Sequence, residues 1–472
     1  MKAYDSFKVL LDEPAVNPGL GFEGYASALA DVVLTSTPRF AVGIFGSWGS
    51  GKTTLMRAIS EKLHEREDVV TVWFNAWRYE REPHLVVPLL DVLRESLDER
   101  ADMQPEEQAG RTRQAARAVA RAGKALLAGV TLSAHLAGVE AQLDLSKLMD
   151  GLADDGKAGN ITEPLSFYHA GFVMLREAIG KFSQSGVSRV VVFIDDLDRC
   201  LPSNALEVLE SMKLFFDMEG FVFIAGLDRA VVERAVTLKY RLAGDGESST
   251  ITGANYLKKI FQIPFALPRV STSQLDEYLE GIATRAALVP AQQEDFDTNV
   301  RKHLEFLSGE EPVNPREVKR LINGYTMQLK MLSARFGKID PNVVLALCCM
   351  SFRPDWQDLY ESLVADPMFF QSQVREARNG DTKENAVWVA GRKVMLPSAF
   401  TRYIDGLARP LLTTPDLELY ISAVESGRTT DPSLLDAYRI LARLRREVEQ
   451  LPDRITPRLF SEYKRTGGPV KV

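Results

Sequence analysis

The chain has 472 residues, 45% hydrophobic and 26% charged, with 57 Lys and Arg against 64 Asp and Glu and a formal net charge of −7. That length suggests two or three globular domains with cores large enough to need no disulfide or metal staple. The negative balance disfavours a protein that coats duplex nucleic acid, and Cys200, Cys348 and Cys349, without metal-type spacing, fit a reducing cytosol.

In chain order, the N-terminus MKAYDSFKVLLDEPAV lacks the long apolar core of a secretory signal. Residues 39–45, RFAVGIF, are an apolar run leading into Gly46 and read as a buried parallel strand. A helix is expected over 53–64, with Leu55, Ile59 and Leu63 on one face, and a second strand over 69–74. Residues 100–165 form an insertion rich in Ala, Gly and charge. Strands follow at 190–194 and 221–226. Between them lies a helix with Leu206, Leu209, Met212 and Phe216 at helical spacing and Ser203 placed to cap it. Strand–helix–strand repetition predicts a parallel α/β sheet with flanking helices over 1–270, the strand ending at Phe45 lying beside the one ending at Ile194. Residues 241–252 read as a loop. Beyond about 270 the strand signals stop. A helical lid-like subdomain is expected over 271–335 and a helical C-terminal region over 336–472, broken at 308–315 and 378–383.

The chemistry is carried first by Gly46-Ser47-Trp48-Gly49-Ser50-Gly51-Lys52-Thr53, which fits G-x-x-x-x-G-K-[ST]. Glycines let the backbone curl until its N–H groups point at phosphate oxygens, and the helix that follows, through Thr53 and Thr54, aims its positive end at the same charge. Lys52 reaches the β- and γ-phosphates, and the Thr53 hydroxyl ligates magnesium. Because no N-K-x-D tetrapeptide is present, ATP is expected rather than GTP.

A second motif, VVVFIDD at 190–196, places acids at a strand end. Asp195 would hold the magnesium and Asp196 would orient and deprotonate the attacking water. The alternative is that Asp196 and Asp198 cap the next helix or pair with Arg199. Asn75, Trp77 and Arg78 follow the second strand at the end that faces the ligand crevice. They read either as support for the phosphate site or as a core aromatic and an ion-pair partner. Asp228 reads equally as a γ-phosphate sensor or as a helix cap. Arg316, Lys319 and Arg320 share one helical face behind Asn314 and Pro315, either a solvated basic face or a phosphate contact.

Arg113, Arg117, Arg121 and Lys124 also fall on one helical face, followed by the apolar run 125–139. At 1.5 Å per residue that run spans about 22 Å, short of a bilayer core of about 30 Å. A helical hairpin packed on its own protein is favoured over a peripheral membrane contact.

With GIFGSWGSGKTTLM at 43–56, FNAWRYE at 74–80, VVVFIDDLDRC at 190–200, IAGLDR at 224–229, YLKKIFQIPFALP at 256–268 and NPREVKRLIN at 314–323, the chain resembles the KAP family of P-loop NTPases over roughly residues 10–330. The resemblance implies an additional-strand P-loop fold and hydrolysis of ATP with Mg2+ in the bacterial cytosol or at the inner face of a membrane. Some bacterial relatives are associated with phage defence, and many carry membrane hairpins in the insertion, where this chain shows no clear span. It also favours Arg316 or Arg320 as a cation at the γ-phosphate, supplied within one chain or from a neighbouring copy. Arg199 and Arg229 are further candidates. The expectation is a cytoplasmic ATPase switch or motor, with Lys52, Asp196, Arg199, Arg316 and Arg320 catalytic, acting as a homo-oligomer on a protein effector. A small-molecule kinase and a nucleotide-binding scaffold without turnover are the competing readings.

Overall fold

The computed structural model describes residues 7–11, 21–136 apart from 83–84, and 173–426 apart from 178–179, 181–185, 216–217, 243–251, most of 269–287, 305, 307–313, 337–338, 380–384, 390–391 and 415–416. The expected loop at 241–252, the breaks at 308–315 and 378–383, part of the insertion and the last stretch of the C-terminal region lie largely outside them. The chain forms two compact units, Glu13–Arg269 on the one hand and Met1–Asp12 with Val270–Val472 on the other.

The first unit is built on β1 (Arg39–Phe45), β2 (Val69–Asn75), β3 (Arg189–Asp195), β4 (Phe221–Leu227) and β5 (Ile263–Ala266), in the order β2-β3-β4-β1-β5, with every described pairing parallel. All seven residues of β4 are buried, whereas β2 alternates buried with partly exposed positions and β5 partly exposed with exposed ones, as edge strands do. The sheet therefore corrects one expectation. β1 does not adjoin β3, because β4 lies between them, paired with both. The fifth strand was not expected. Its four residues include Pro264 and alternate in burial, too short and too mixed to register as an apolar run.

Helices cover the sheet. α1 (Phe22–Thr35) and α2 (Lys52–His64) precede and follow β1, and α2 buries Leu55, Met56, Ile59 and Leu63. Each such aliphatic side chain contributes about 1.5–3 kcal/mol when fully buried. α3 (Val86–Asp102) turns through three residues into α4 (Glu106–Leu136). Ala115, Ala116, Ala118, Val119, Ala122 and Leu126 of α4 join the core that includes Leu89, Leu90, Leu93 and Leu97 of α3. The small side chains let the two helices approach closely. The basic residues stay on the other face: Arg117 and Lys124 are exposed and Arg113 pairs with Asp102 at 2.9 Å. The described part of the insertion is thus one continuous helix rather than a hairpin of its own, and it packs on its own protein through residue 126, against α3, which precedes it. Among the described residues no helix is long and apolar enough to cross a membrane.

After β3 comes α5 (Pro202–Phe215), and after β4 comes α6 (Arg229–Leu242). α5 starts at Pro202, so Ser203 lies inside the first turn rather than at the cap. The backbone N–H groups of Asn204 and Ala205 bond to Leu201 O.

The second unit is mostly helical. Asn314 accepts a bond from Arg316 N at 3.0 Å and opens the helix Pro315–Phe336, as expected. The helix Pro341–Phe352 is buried over eight consecutive residues, Val343 to Met350, including Cys348 and Cys349. One element corrects the expectation of helices alone, an antiparallel hairpin of β6 (Ala386–Val389) and β7 (Arg392–Met395). Strands of four residues, with β7 exposed along most of its length, carry no periodicity that a sequence reading could use. Residues 8 and 10 are tied to this unit by reciprocal amide bonds. Gln292 exchanges bonds of 3.1 and 3.0 Å with the Lys8 backbone, and Asn323 exchanges bonds of 2.8 and 2.9 Å with that of Leu10.

Candidate nucleotide site

The carboxyl ends of β1, β3 and β4 converge on one crevice, the place where open α/β sheets bind ligands. Residues 46–51 leave β1 and lead into α2 at Lys52. Gly51 carries φ 103°, a left-handed conformation that a side chain would strain. A Cβ there would also meet the Phe22 ring at 2.7 Å. Ser50 Oγ is buried in this loop without a hydrogen-bond partner, a polar atom whose bonding a ligand could complete.

Lys52 is 7% exposed. Its ammonium donates to Gly46 O at 3.0 Å, to Ser47 O at 3.1 Å and to Asp198 Oδ2 at 2.9 Å. One residue on, Thr53 Oγ1 donates to Asp195 Oδ1 at 3.0 Å. A hydroxyl and a carboxylate in contact are the oxygen donor set that suits Mg2+. Burial pushes the Asp195 carboxyl above the usual range, and the negative charge of Asp196 adds to that. A bound divalent cation would act in the opposite sense, so the donor set and the loop fit a magnesium nucleotide.

β4 lies between the strands that carry the two halves, with Gly226 near its end. A Cβ on Gly226 would lie 2.7 Å from Met56 Sδ, 3.5 Å from Lys52 Cβ and 3.7 Å from Asp195 Oδ1. The missing side chain leaves room for the Met56 sulfur, and it is Thr53, next to Lys52, that reaches Asp195.

Asp196 turns the chain out of β3. It has φ 57° and ψ 27°, the one non-glycine residue with positive φ among those described. Aspartate tolerates this conformation better than most residues, and its backbone N–H is held by Asp195 Oδ1 at 2.9 Å. Its carboxylate accepts from Asn75 Nδ2 at 2.9 Å and pairs with Arg199 Nε at 2.7 Å. Four lone-pair sites on a carboxylate leave room for a water as well. The pairing of Asp196 with Arg199 is therefore present. Asp198, read as a cap or a partner of Arg199, instead takes Lys52.

The segment 74–80 braces this turn. Beyond Asn75, the Glu80 carboxylate accepts from Leu201 N at 2.5 Å, and Asn204 Nδ2 donates to Glu80 O at 2.8 Å. Trp77 is half exposed and so is not a core aromatic. The Arg199 guanidinium lies 5.5 Å from its ring and 5.9 Å from that of Trp48, itself half exposed. Three motifs far apart in sequence thus meet around one arginine. Cys200 is buried, with its thiol pushed up to about 12 by burial and the neighbouring carboxylates, which leaves it unreactive.

Asp228 caps α6, accepting from Ala230 N at 3.0 Å, and Arg229 pairs with Glu233 at 2.7 Å. Arg316 and Arg320 stand on the helix Pro315–Phe336 of the other unit. The site residues that sequence reasoning missed are Asp198, Glu80 and Gly226. The only signal for the first was three acids within four residues of one another.

A model of the KAP family P-loop domain matches residues 22–329. The phage T7 exclusion protein of Escherichia coli K12 is 27% identical over 259 residues, covering 53% of this chain and 33% of that protein. The human kinase D-interacting substrate of 220 kDa is 28% identical over 134 residues, 27% of this chain and 7% of its own length. An uncharacterised protein of Methanocaldococcus jannaschii is 25% identical over 178 residues, 33% of this chain and 89% of that protein. The chain thus spans a third of the first of these relatives and less than a tenth of the second.

Proposed function

Because this chain belongs to the KAP family of P-loop domains, we propose that it binds ATP with magnesium at the loop around Lys52 and hydrolyses it as a switch acting on a partner. One observation carries the reading: Thr53 Oγ1 touches Asp195 Oδ1 at 3.0 Å, with Lys52 buried beside them and a second acid, Asp196, adjoining. Backbone N–H groups of residues 46–53 and the Lys52 ammonium would hold the phosphates, and Thr53 and Asp195 the metal. Magnesium, when bound, neutralises phosphate charge. Asp196 is fixed in orientation by Asn75 and would take the proton of the attacking water. A cation at the γ-phosphate would come from Arg199, Arg316 or Arg320, the last two either from the same chain or from a second copy. The likeness to a phage exclusion protein supports a place in bacterial anti-phage defence, acting in the cytoplasm or peripherally at the inner face of the membrane.

The test is turnover of ATP and GTP with magnesium, alone and with candidate phosphate acceptors. Lys52→Ala should lose nucleotide binding. Asp196→Asn should keep it and slow turnover by about 10²–10⁴-fold, the usual contribution of a positioned base. Transfer of phosphate to an acceptor would make the protein a kinase, and tight binding without turnover would make it a scaffold. Wild-type turnover by Asp196→Asn would assign the base elsewhere.

A further inference from the structure

Lys52 has three N–H donors, and all three are in use, two on loop carbonyls and one on Asp198. The carboxylate is as buried as the ammonium, at 6% and 7% exposure, so this is a desolvated pair and not a surface one. A phosphate that claims Lys52 must therefore displace something. A diphosphate can be served by the loop N–H groups and by a donor taken from a carbonyl. A γ-phosphate brings a second anion to the ammonium that Asp198 already neutralises. Two anions around one buried cation repel, and the one free to move is the carboxylate. It belongs to a three-residue turn, Leu197–Arg199, anchored by buried Leu197 on one side and by the Glu80–Leu201 bond on the other.

We propose that Asp198 competes with the γ-phosphate for Lys52, so that its turn distinguishes a bound nucleoside triphosphate from a diphosphate. The inference rests on nucleotide binding at this loop and adds a positioning residue to it. The next residue carries the consequence. Arg199 pairs with Asp196 Oδ1 and lies against the rings of Trp48 and Trp77. When Asp198 leaves Lys52, Arg199 moves with it. One oxygen of Asp196 is then released for the attacking water, and the cation is freed toward the phosphate that triggered the movement. The acid thus sheds its ion-pair partner, and becomes a stronger base for the water, only when a γ-phosphate is in place.

The experiment uses the full chain and two ligands, Mg·ADP and the slowly hydrolysed Mg·ATPγS. Affinity is measured by calorimetry, and the turn is followed by intrinsic tryptophan emission. In wild type, ATPγS should change the emission and ADP should not, and Arg199→Gln should abolish that difference. Asp198→Asn keeps an acceptor for Lys52 but removes the competing charge. It should bind ATPγS about tenfold more tightly, while ADP stays within about twofold. Equal shifts for the two nucleotides, or no shift, would overturn the proposal. So would identical emission changes with ADP and ATPγS in wild type, a result that needs no variant to fold. Failure of wild type to bind either nucleotide would overturn the nucleotide reading itself.

Discussion

Replacing Lys52 by alanine should destabilise the protein as well as disable it. The substitution removes the charge partner of an Asp198 carboxylate that is 6% exposed and takes donors from Gly46 O and Ser47 O. Breaking a buried ion pair by deleting one partner costs about 3–5 kcal/mol, because the other charge is left uncompensated. The turn that carries Asp198 lies near the surface, and water will recover part of that, so about 3 kcal/mol is expected. For a unit of this size that corresponds to a fall in Tm of about 6–12 °C. Adding Asp198→Asn removes the stranded charge and should restore more than half of the loss without restoring nucleotide binding. Urea and thermal unfolding of wild type, both single variants and the double variant give the coupling energy directly. A Lys52→Ala protein within about 0.5 kcal/mol of wild type, or a double variant no more stable than Lys52→Ala, would refute the view of this pair as a buried, mutually dependent contact.

Two further outcomes follow from other parts of the fold. His303 is fully buried, shares a 2.7 Å hydrogen bond with Tyr403 and has its pKa lowered to about 4 by burial. Its unfolded form takes a proton near 6.5, so between those values the unfolded state binds more protons. The second unit should keep its stability above that window and lose up to about 3 kcal/mol as pH falls through it. His303→Gln should flatten this dependence in unfolding measured from pH 7 to 4, and an unchanged slope would show that other groups produce it. Hydrolysis should also depend on self-association if Arg316 acts in a neighbouring copy. Specific activity would then rise with concentration, and mixing Lys52→Ala with Arg316→Ala protein would restore part of it. Flat activity over about a hundredfold dilution, without rescue, would leave a cation supplied within one chain.

Local features were legible in the sequence. An apolar run into glycines, followed by Lys52 and Thr53, is a loop whose backbone and side chains serve one chemistry, and its spacing alone identifies it. Four of the five strands of the sheet were visible because each is a largely apolar run, the edge strand β2 included. So was the acid pair Asp195 and Asp196 at a strand end. Strand order was not legible, since apolar runs such as VVVFI and FVFIAG look alike whether a strand lies at the centre of a sheet or one place from it. Only the crossovers put β4 between β1 and β3. That placement sets Gly226 against Met56, whose sulfur would lie 2.7 Å from a Cβ there. Asp198 and Glu80 were silent for a related reason. A carboxylate near a helix start is usually a cap, and nothing in its neighbours reveals a lysine 146 residues away. Sequence periodicity reports which face of an element is buried. The choice of partner across the crevice belongs to the packed chain, where burial of Lys52 and Asp198 together leaves each no better counterpart than the other.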